Sequence, residues 1–235
     1  MLTPVDAASG HRIQTGYAAA MERLDAQVYV VTGGKGAIGR SVVAAFAAAG
    51  AKAVTADLPE VNLLDARGAE ALVRDVLARE GRLDGVIHTV GGYAQGKLHE
   101  APLGDYERMF DLNVRSLFHL ARAVVPHFLE QKRGLLAAFS SEPGWTGAAP
   151  GAALYGAAKA AVATLLRSLD GELTGTDARV AIVYPMGAVD TPANRRDMPG
   201  FERFIDPKDI AETLVHVAQR SRAGRLLELA IHPPR

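Results

Sequence analysis

Val28-Tyr29-Val30-Val31-Thr32-Gly33-Gly34-Lys35-Gly36-Ala37-Ile38-Gly39 is the stretch from which the fold can be read. Its first four residues are β-branched or aromatic, an unbroken apolar run of the kind found where both faces of a parallel strand are covered. Four glycines then fall within the seven residues Gly33 to Gly39, and Arg40 to Ala49 reads as a helix closed by Gly50. Strand, glycine turn and helix in this order separate a phosphate-binding turn from an ordinary tight one. Glycines let the backbone approach a pyrophosphate, whose charge then meets free N–H groups at the helix N-terminus. Cofactor binding is the better reading of this turn.

The chain downstream repeats the alternation. Ala53 to Asp57 reads as a second strand ending in an acid 24 residues beyond Gly33. An acid at about that offset hydrogen-bonds the adenosine ribose and repels a 2′-phosphate, which argues for NAD(H) over NADP(H). Lys35 pulls the other way, because it could meet a phosphate; Asp57 carries more weight because its strand-end position is fixed. Only Leu58 to Val61 separates Asp57 from Asn62-Leu63-Leu64, where a third strand is expected, so no full crossover helix fits between them. A helix is expected over 65–80, capped by Asp65 and ended by Gly81. Leu83 to Val90 reads as the fourth strand, running into Gly91-Gly92-Tyr93, and one long helical region spans Leu103 to Gln131. Leu135 to Phe139 is the fifth strand, Leu154 to Leu173 a helix, Arg179 to Tyr184 the sixth strand, 207–220 a helix and Leu226 to Ile231 the last strand. Such alternation predicts an α/β Rossmann-type doubly wound parallel sheet of about seven strands in a single domain. Residues 1–20 show no clear period and are expected to be an appended or disordered arm, with the domain proper over 21–235.

Composition narrows the function classes. The 235 residues carry 26 basic and 26 acidic side chains, which points to no nucleic-acid surface and no anionic-membrane affinity. Zero cysteines exclude disulfides, thiolate metal sites and cysteine nucleophiles, and no metal ligand set is expected. No apolar run is long enough to span a bilayer and no signal peptide is visible, so a cytoplasmic protein is the expectation.

Leu154-Tyr155-Gly156-Ala157-Ala158-Lys159 opens the alanine-rich helix. Tyr155 and Lys159 are four apart, one turn above each other on one helix face. A free phenol has a pKa near 10, so about 4 kcal/mol of preferential phenolate stabilisation is needed to bring it near neutrality, and an adjacent cation supplies part of that. Alone, such a spacing most often means a surface tyrosine packed on a lysine stem. The company it keeps decides otherwise.

Over residues 21–231 the chain resembles the short-chain dehydrogenase/reductase family. The resemblance is carried, in the family's order, by the Thr32–Gly39 turn, strand-end Asp57, Leu112-Asn113-Val114, Ser141, Tyr155 with Lys159, and the Pro185–Thr191 segment. It implies that Tyr155 is the proton donor or acceptor at a substrate oxygen and that Lys159 lowers its pKa and holds the nicotinamide ribose. It further implies that Ser141 holds the reacting oxygen and that Asn113 holds a water in a proton relay. Gly33, Lys35, Ala37, Ile38 and Gly39 would line the pyrophosphate; Asp57, Leu58, Asn62, Leu63, Val90, Gly91 and Gly92 the adenosine side; Pro185, Gly187, Val189 and Thr191 the carboxamide. Tyr93, Trp145, Met186 and the Arg195/Arg196 loop are candidates for the substrate wall. A homo-dimer or homo-tetramer is expected through the helices at Leu103–Gln131 and Leu154–Leu173.

Four features depart from the family pattern. Ala37 replaces its middle glycine, and His88-Thr89-Val90-Gly91 stands where Asn-Asn-Ala-Gly is usual. Ser141 lies fourteen residues before Tyr155, one more than is typical, which leaves Ser140 as a rival. Met186 separates Pro185 from Gly187. Within the family, Gly33–Gly39, Val90-Gly91-Gly92-Tyr93 and Asp190 to Pro199 are similar to dihydropteridine reductases, which characteristically lack the active-site serine. The leading expectation is an NAD(P)-dependent oxidoreductase interconverting a carbonyl and a secondary alcohol. Reduction of a quinonoid pterin and a non-catalytic dinucleotide-sensing protein are the alternatives.

Overall fold

The computed structural model describes residues 23–220 and 224–235. The N-terminal arm expected over 1–20 lies outside the described residues. Among these, six strands alternate with helices: β1 Val28–Thr32, α1 Ala37–Ala48, β2 Lys52–Ala56, α2 Ala66–Glu80, β3 Gly85–His88, α3 Gly104–Phe110, α4 Ser116–Glu130, β4 Arg133–Phe139, α5 Glu142–Thr146, α6 Ala153–Glu172, β5 Asp177–Pro185, α7 Pro192–Asp197, α8 Pro207–Gln219 and β6 Glu228–Ile231. All pairs in the sheet are parallel, in the order β2-β1-β3-β4-β5-β6. From β1 the chain runs outward to β2, then crosses back to β3 on β1's other side. Ligands of open α/β sheets bind at the carboxyl ends of strands where the order reverses in this way.

Strand residues alternate between two cores. Val28 and Val30 of β1 face one layer with Leu72 and Val76 of α2, Leu120 and Phe128 of α4, and Val162 and Leu166 of α6. Tyr29 and Val31 face the other with Val42 and Phe46 of α1 and Ile210 and Leu214 of α8. This is period-two alternation with both faces covered, which is why the strands read as continuous apolar runs.

Three expectations are corrected. Asn62-Leu63-Leu64 is not a strand, so the sheet has six strands rather than about seven. There the Asn62 side chain accepts from the Leu64 N–H at 3.0 Å, Leu63 is buried, and its carbonyl meets the His119 ring at 2.9 Å. A Cβ at Gly68 would lie 2.2 Å from the Asn62 carbonyl, so the start of α2 presses on this segment and holds it as a turn. The long helix over Leu103–Gln131 is interrupted by a π turn, Asp111–Arg115. The loops after β4 and β5 contain the short helices α5 and α7, each with proline in its first turn. No described helix is long and apolar enough to cross a membrane.

Candidate active site

The glycine turn leaves β1 with Gly33 at φ +73°, and a Cβ there would come within 2.7 Å of Thr89 Oγ1. A Cβ on Gly39 would meet the Gly33 carbonyl at 2.1 Å, so only hydrogen lets α1 start this close to the turn. Ala37 occupies the first helical position without disturbing this packing, and Ile38 packs on the α1–α8 core. Gly36, the N-cap of α1, offers no side-chain acceptor to the first N–H groups of the helix. These donors and the helix dipole form a cradle for anionic oxygens. The residues present fit a dinucleotide pyrophosphate.

At the edge of this cradle, Asp57 accepts the Lys35 backbone N–H at 3.1 Å. Leu58 beside it is exposed, and Asn62 is exposed as well. Leu63 sends its side chain into the core, so only its backbone faces outward.

Asn113 sits in the π turn and is buried. Its side chain grips one residue from both sides: Nδ2 donates to the Gly92 carbonyl at 3.0 Å and Oδ1 accepts the Gly92 N–H at 3.2 Å. A further bond from Nδ2 to the Met109 carbonyl, 2.9 Å, uses the amide's second hydrogen. The side chain therefore positions Val90-Gly91-Gly92. Gly91 is where the site converges, because a Cβ there would lie 2.8 Å from Asn113 Oδ1 and 3.3 Å from Lys159 Nζ.

Tyr155 and Lys159 lie on α6, whose first turn packs beneath the loop after β4. The Lys159 ammonium is buried, donates to the Phe139 carbonyl at 2.9 Å, and stands 5.8 Å from the centre of the Tyr155 ring. Burial pushes its pKa down to about 8. The Tyr155 phenol moves up, first because burial penalises the phenolate, with the nearby Ser141 hydroxyl opposing that rise and Tyr93 adding to it. Here the ammonium is turned to the Phe139 carbonyl, and burial dominates at the phenol.

The two serines are told apart by their partners. Ser140 Oγ donates to the Lys159 carbonyl at 2.8 Å. Ser141 Oγ is buried and lies close enough to the Tyr155 phenol to favour its phenolate form. Ser141 is also the N-cap of α5, and Gly144 packs against Ser140 and α6, which explains the short helix and the extra residue before Tyr155.

Of the substrate-wall candidates, Tyr93 meets Tyr155 edge-on at 4.9 Å between ring centres. Trp145 stands edge-on to Tyr184, also at 4.9 Å. Met186 packs on the core, and its N–H continues the β5–β6 pairing to the Ile231 carbonyl. Arg195 forks Asp190 at 2.6 Å, and Arg196 pairs with Asp197, so neither guanidinium is a free anion ligand. On the carboxamide side, Pro185 closes β5 and Gly187 packs against Pro233. Thr191 caps α7, and the Val189 carbonyl accepts from Asn194.

One residue escaped the sequence reading. His88, at the end of β3, is buried, with Nδ1 2.8 Å from Thr32 Oγ1 and Nε2 3.1 Å from Ser116 Oγ. Ser116 Oγ donates to the Leu112 carbonyl, so its oxygen must accept from Nε2–H and Nδ1 must accept from Thr32. A neutral imidazole of one tautomer thus ties β1, at the glycine turn, to the π turn of Asn113. Burial, and secondarily Lys159, push its pKa down to about 3. The break from Asn-Asn-Ala-Gly at His88 was the signal available.

The fold and this cleft define a Rossmann-type α/β protein with a dinucleotide cradle beside a buried tyrosine–lysine–serine cluster. Residues 7–225 match the family described as enoyl-(acyl carrier protein) reductase. The chain belongs to the short-chain dehydrogenase/reductase family, whose members are NAD(P)-dependent oxidoreductases. An uncharacterized oxidoreductase from Staphylococcus saprophyticus is 28% identical, over 91% of this chain and 100% of its own length. Among solved structures, a 3-ketoacyl-(acyl-carrier-protein) reductase from Brucella melitensis complexed with NADH superposes with a TM-score of 0.78 at 21% identity, covering 89% of this chain and 98% of that one. A 7α-hydroxysteroid dehydrogenase complexed with NADH and 7-oxo glycochenodeoxycholic acid gives 0.80 at 22% identity, covering 89% and 94%.

Proposed function

We propose that this protein interconverts a carbonyl and a secondary alcohol with a nicotinamide dinucleotide, NAD(H) in preference to NADP(H). The observation that carries the reading is the buried Ser141 hydroxyl beside the Tyr155 phenol. A hydrogen bond from such a hydroxyl to a substrate oxygen contributes about 1 kcal/mol net. The bound dinucleotide gives up or takes the hydride at carbon. In reduction Tyr155 passes its proton to the oxygen held by Ser141, and in oxidation it takes that proton back. Burial keeps the phenol in the acid form that the reduction requires. Lys159 supplies the positive charge beneath the ring, and Asn113 keeps the Gly91–Gly92 backbone against it.

Preference for NAD(H) rests on Asp57, whose carboxylate stands at the outer edge of the glycine turn. A homo-oligomer through α4 and α6 is supported by the exposed Tyr106, Phe118 and Leu165 on α3, α4 and α6.

Tyr155→Phe is expected to lower turnover by at least three orders of magnitude while NADH binding changes less than about twofold. The measurement is NADH consumption over a panel of ketones, 3-oxoacyl thioesters and a quinonoid dihydropterin. Undiminished turnover in the variant would sink the mechanism. Activity on the dihydropterin alone would favour the pterin reaction, and bound cofactor without turnover on any member would favour a sensing protein.

A further inference from the structure

Lys35 is held at three points. Its N–H goes to Asp57 Oδ2 at 3.1 Å, its carbonyl receives the Arg40 guanidinium, and its ammonium pairs with Glu60 Oε2 at 3.2 Å. Asp57 and Glu60 belong to one turn, closed by the Val61 N–H on the Asp57 carbonyl at 2.9 Å. The same turn therefore grips both ends of one residue in the glycine turn. In sequence, Lys35 and Asp57 pull in opposite directions on cofactor choice; in the fold a second acid stands between them.

We propose that Glu60 is a specificity-determining residue for the cofactor, favouring NAD(H) by occupying the one ammonium of the glycine turn. The inference rests on the dinucleotide-binding reading above. The pair is exposed on both sides, with 60% and 67% of the two side chains open to solvent. Exposed pairs contribute little to stability, so its importance lies in what it denies to a ligand. A 2′-phosphate at this edge needs a cation. Taking Lys35 would break the pair and leave the Glu60 carboxylate uncompensated beside the phosphate. Glu60 is ionised at neutral pH, since its own backbone N–H and then Lys35 hold its carboxyl below the usual range. The Arg40 guanidinium gives one N–H to the Lys35 carbonyl, which directs it to the backbone side of the turn.

The test is a fluorescence titration of NADH and NADPH against the wild type, Glu60→Gln, Lys35→Ala and the double variant. All substitutions are at exposed positions, and thermal melts confirm folding. We expect Glu60→Gln to lower the NADPH:NADH Kd ratio about fivefold, chiefly through tighter NADPH, as suits one charge at a partly screened surface. In the Lys35→Ala background the same change should move the ratio less than twofold, because no ammonium is there to release. An unchanged ratio in Glu60→Gln overturns the inference, as does an equal effect with and without Lys35, which would mean plain repulsion. Failure of the wild type to bind either dinucleotide would overturn the underlying reading instead, and tighter NADPH in the wild type would overturn the inference while leaving dinucleotide binding intact.

Discussion

A proton that the fold refuses is the most telling property of His88. Free imidazole titrates near 6.5, and in the folded chain burial together with Lys159 pushes this one to about 3. Between those values the unfolded chain binds a proton that the native state does not, so the stability His88 contributes is complete above pH 6.5 and is lost as pH falls towards 3. By pH 4.5 the loss amounts to about 2–3 kcal/mol. His88→Asn should remove this acid lability: its urea midpoint should fall less than that of the wild type between pH 6.5 and 4.5. Parallel curves would show that the imidazole is not kept neutral. Lys35 is the contrasting case at this scale, an exposed cation whose role depends on a single neighbour rather than on burial.

At the scale of elements, the ends of strands and helices carry the design. Arg179 of β5 donates to the Val217, Ala218 and Arg220 carbonyls at 3.2–3.3 Å, capping the last turn of α8. Removing it leaves those acceptors facing a half-buried interface and forfeits the favourable contact of a cation with a helix C-terminus. Arg179→Met should cost about 1–3 kcal/mol by urea denaturation, with the Kd for NADH unchanged, since β5 carries this residue at the end remote from the cofactor cradle. A loss of NADH binding equal to the loss in stability would contradict that separation.

Legibility in the sequence followed the range of the forces involved. The Gly33–Gly39 turn and the Asp65 and Gly81 caps are dictated by local sterics and local hydrogen bonds, and each was readable. The π turn at Asp111–Arg115 was not, because apolar spacing runs through it and only the grip of Asn113 on distant Gly92 reveals it. The apolar residues of Asn62–Leu64 are compatible with a strand; contacts from His119 and the start of α2, both remote or sideways, make it a turn. For α5 and α7, Ser141 followed by Pro143 and Thr191 followed by Pro192 were usable start signals that went unread. What distinguishes Ser140 from Ser141 is a hydrogen bond to the Lys159 carbonyl on α6, a contact no local pattern announces.

Considered whole, the molecule is one sheet sandwiched between two apolar layers, with the proposed functional groups gathered at the carboxyl ends of β1 to β5 and on the π turn and α6 beside them. A dinucleotide bound across those ends touches segments packed on both layers, so its binding energy stabilises the entire cooperative unit. NADH at one hundred times its Kd should add ~2.7 kcal/mol. For a domain of this size that corresponds to a rise in Tm of roughly 5–10 °C. Equal NADPH should raise it less. A melt indifferent to NADH would deny the glycine turn its role.

The turn at Asn62–Leu64 has a consequence beyond the cofactor. Among the described residues no strand lies outside β2, and a terminal strand is a template on which another chain can lay its own backbone. Here that template is five residues long, begins at Lys52 in its ion pair with Glu80, and breaks off at the acidic Asp57–Val61 turn. Shortness and charge at both ends discourage register with a second molecule. The same acids that grip Lys35 therefore also guard the margin of the sheet against aggregation.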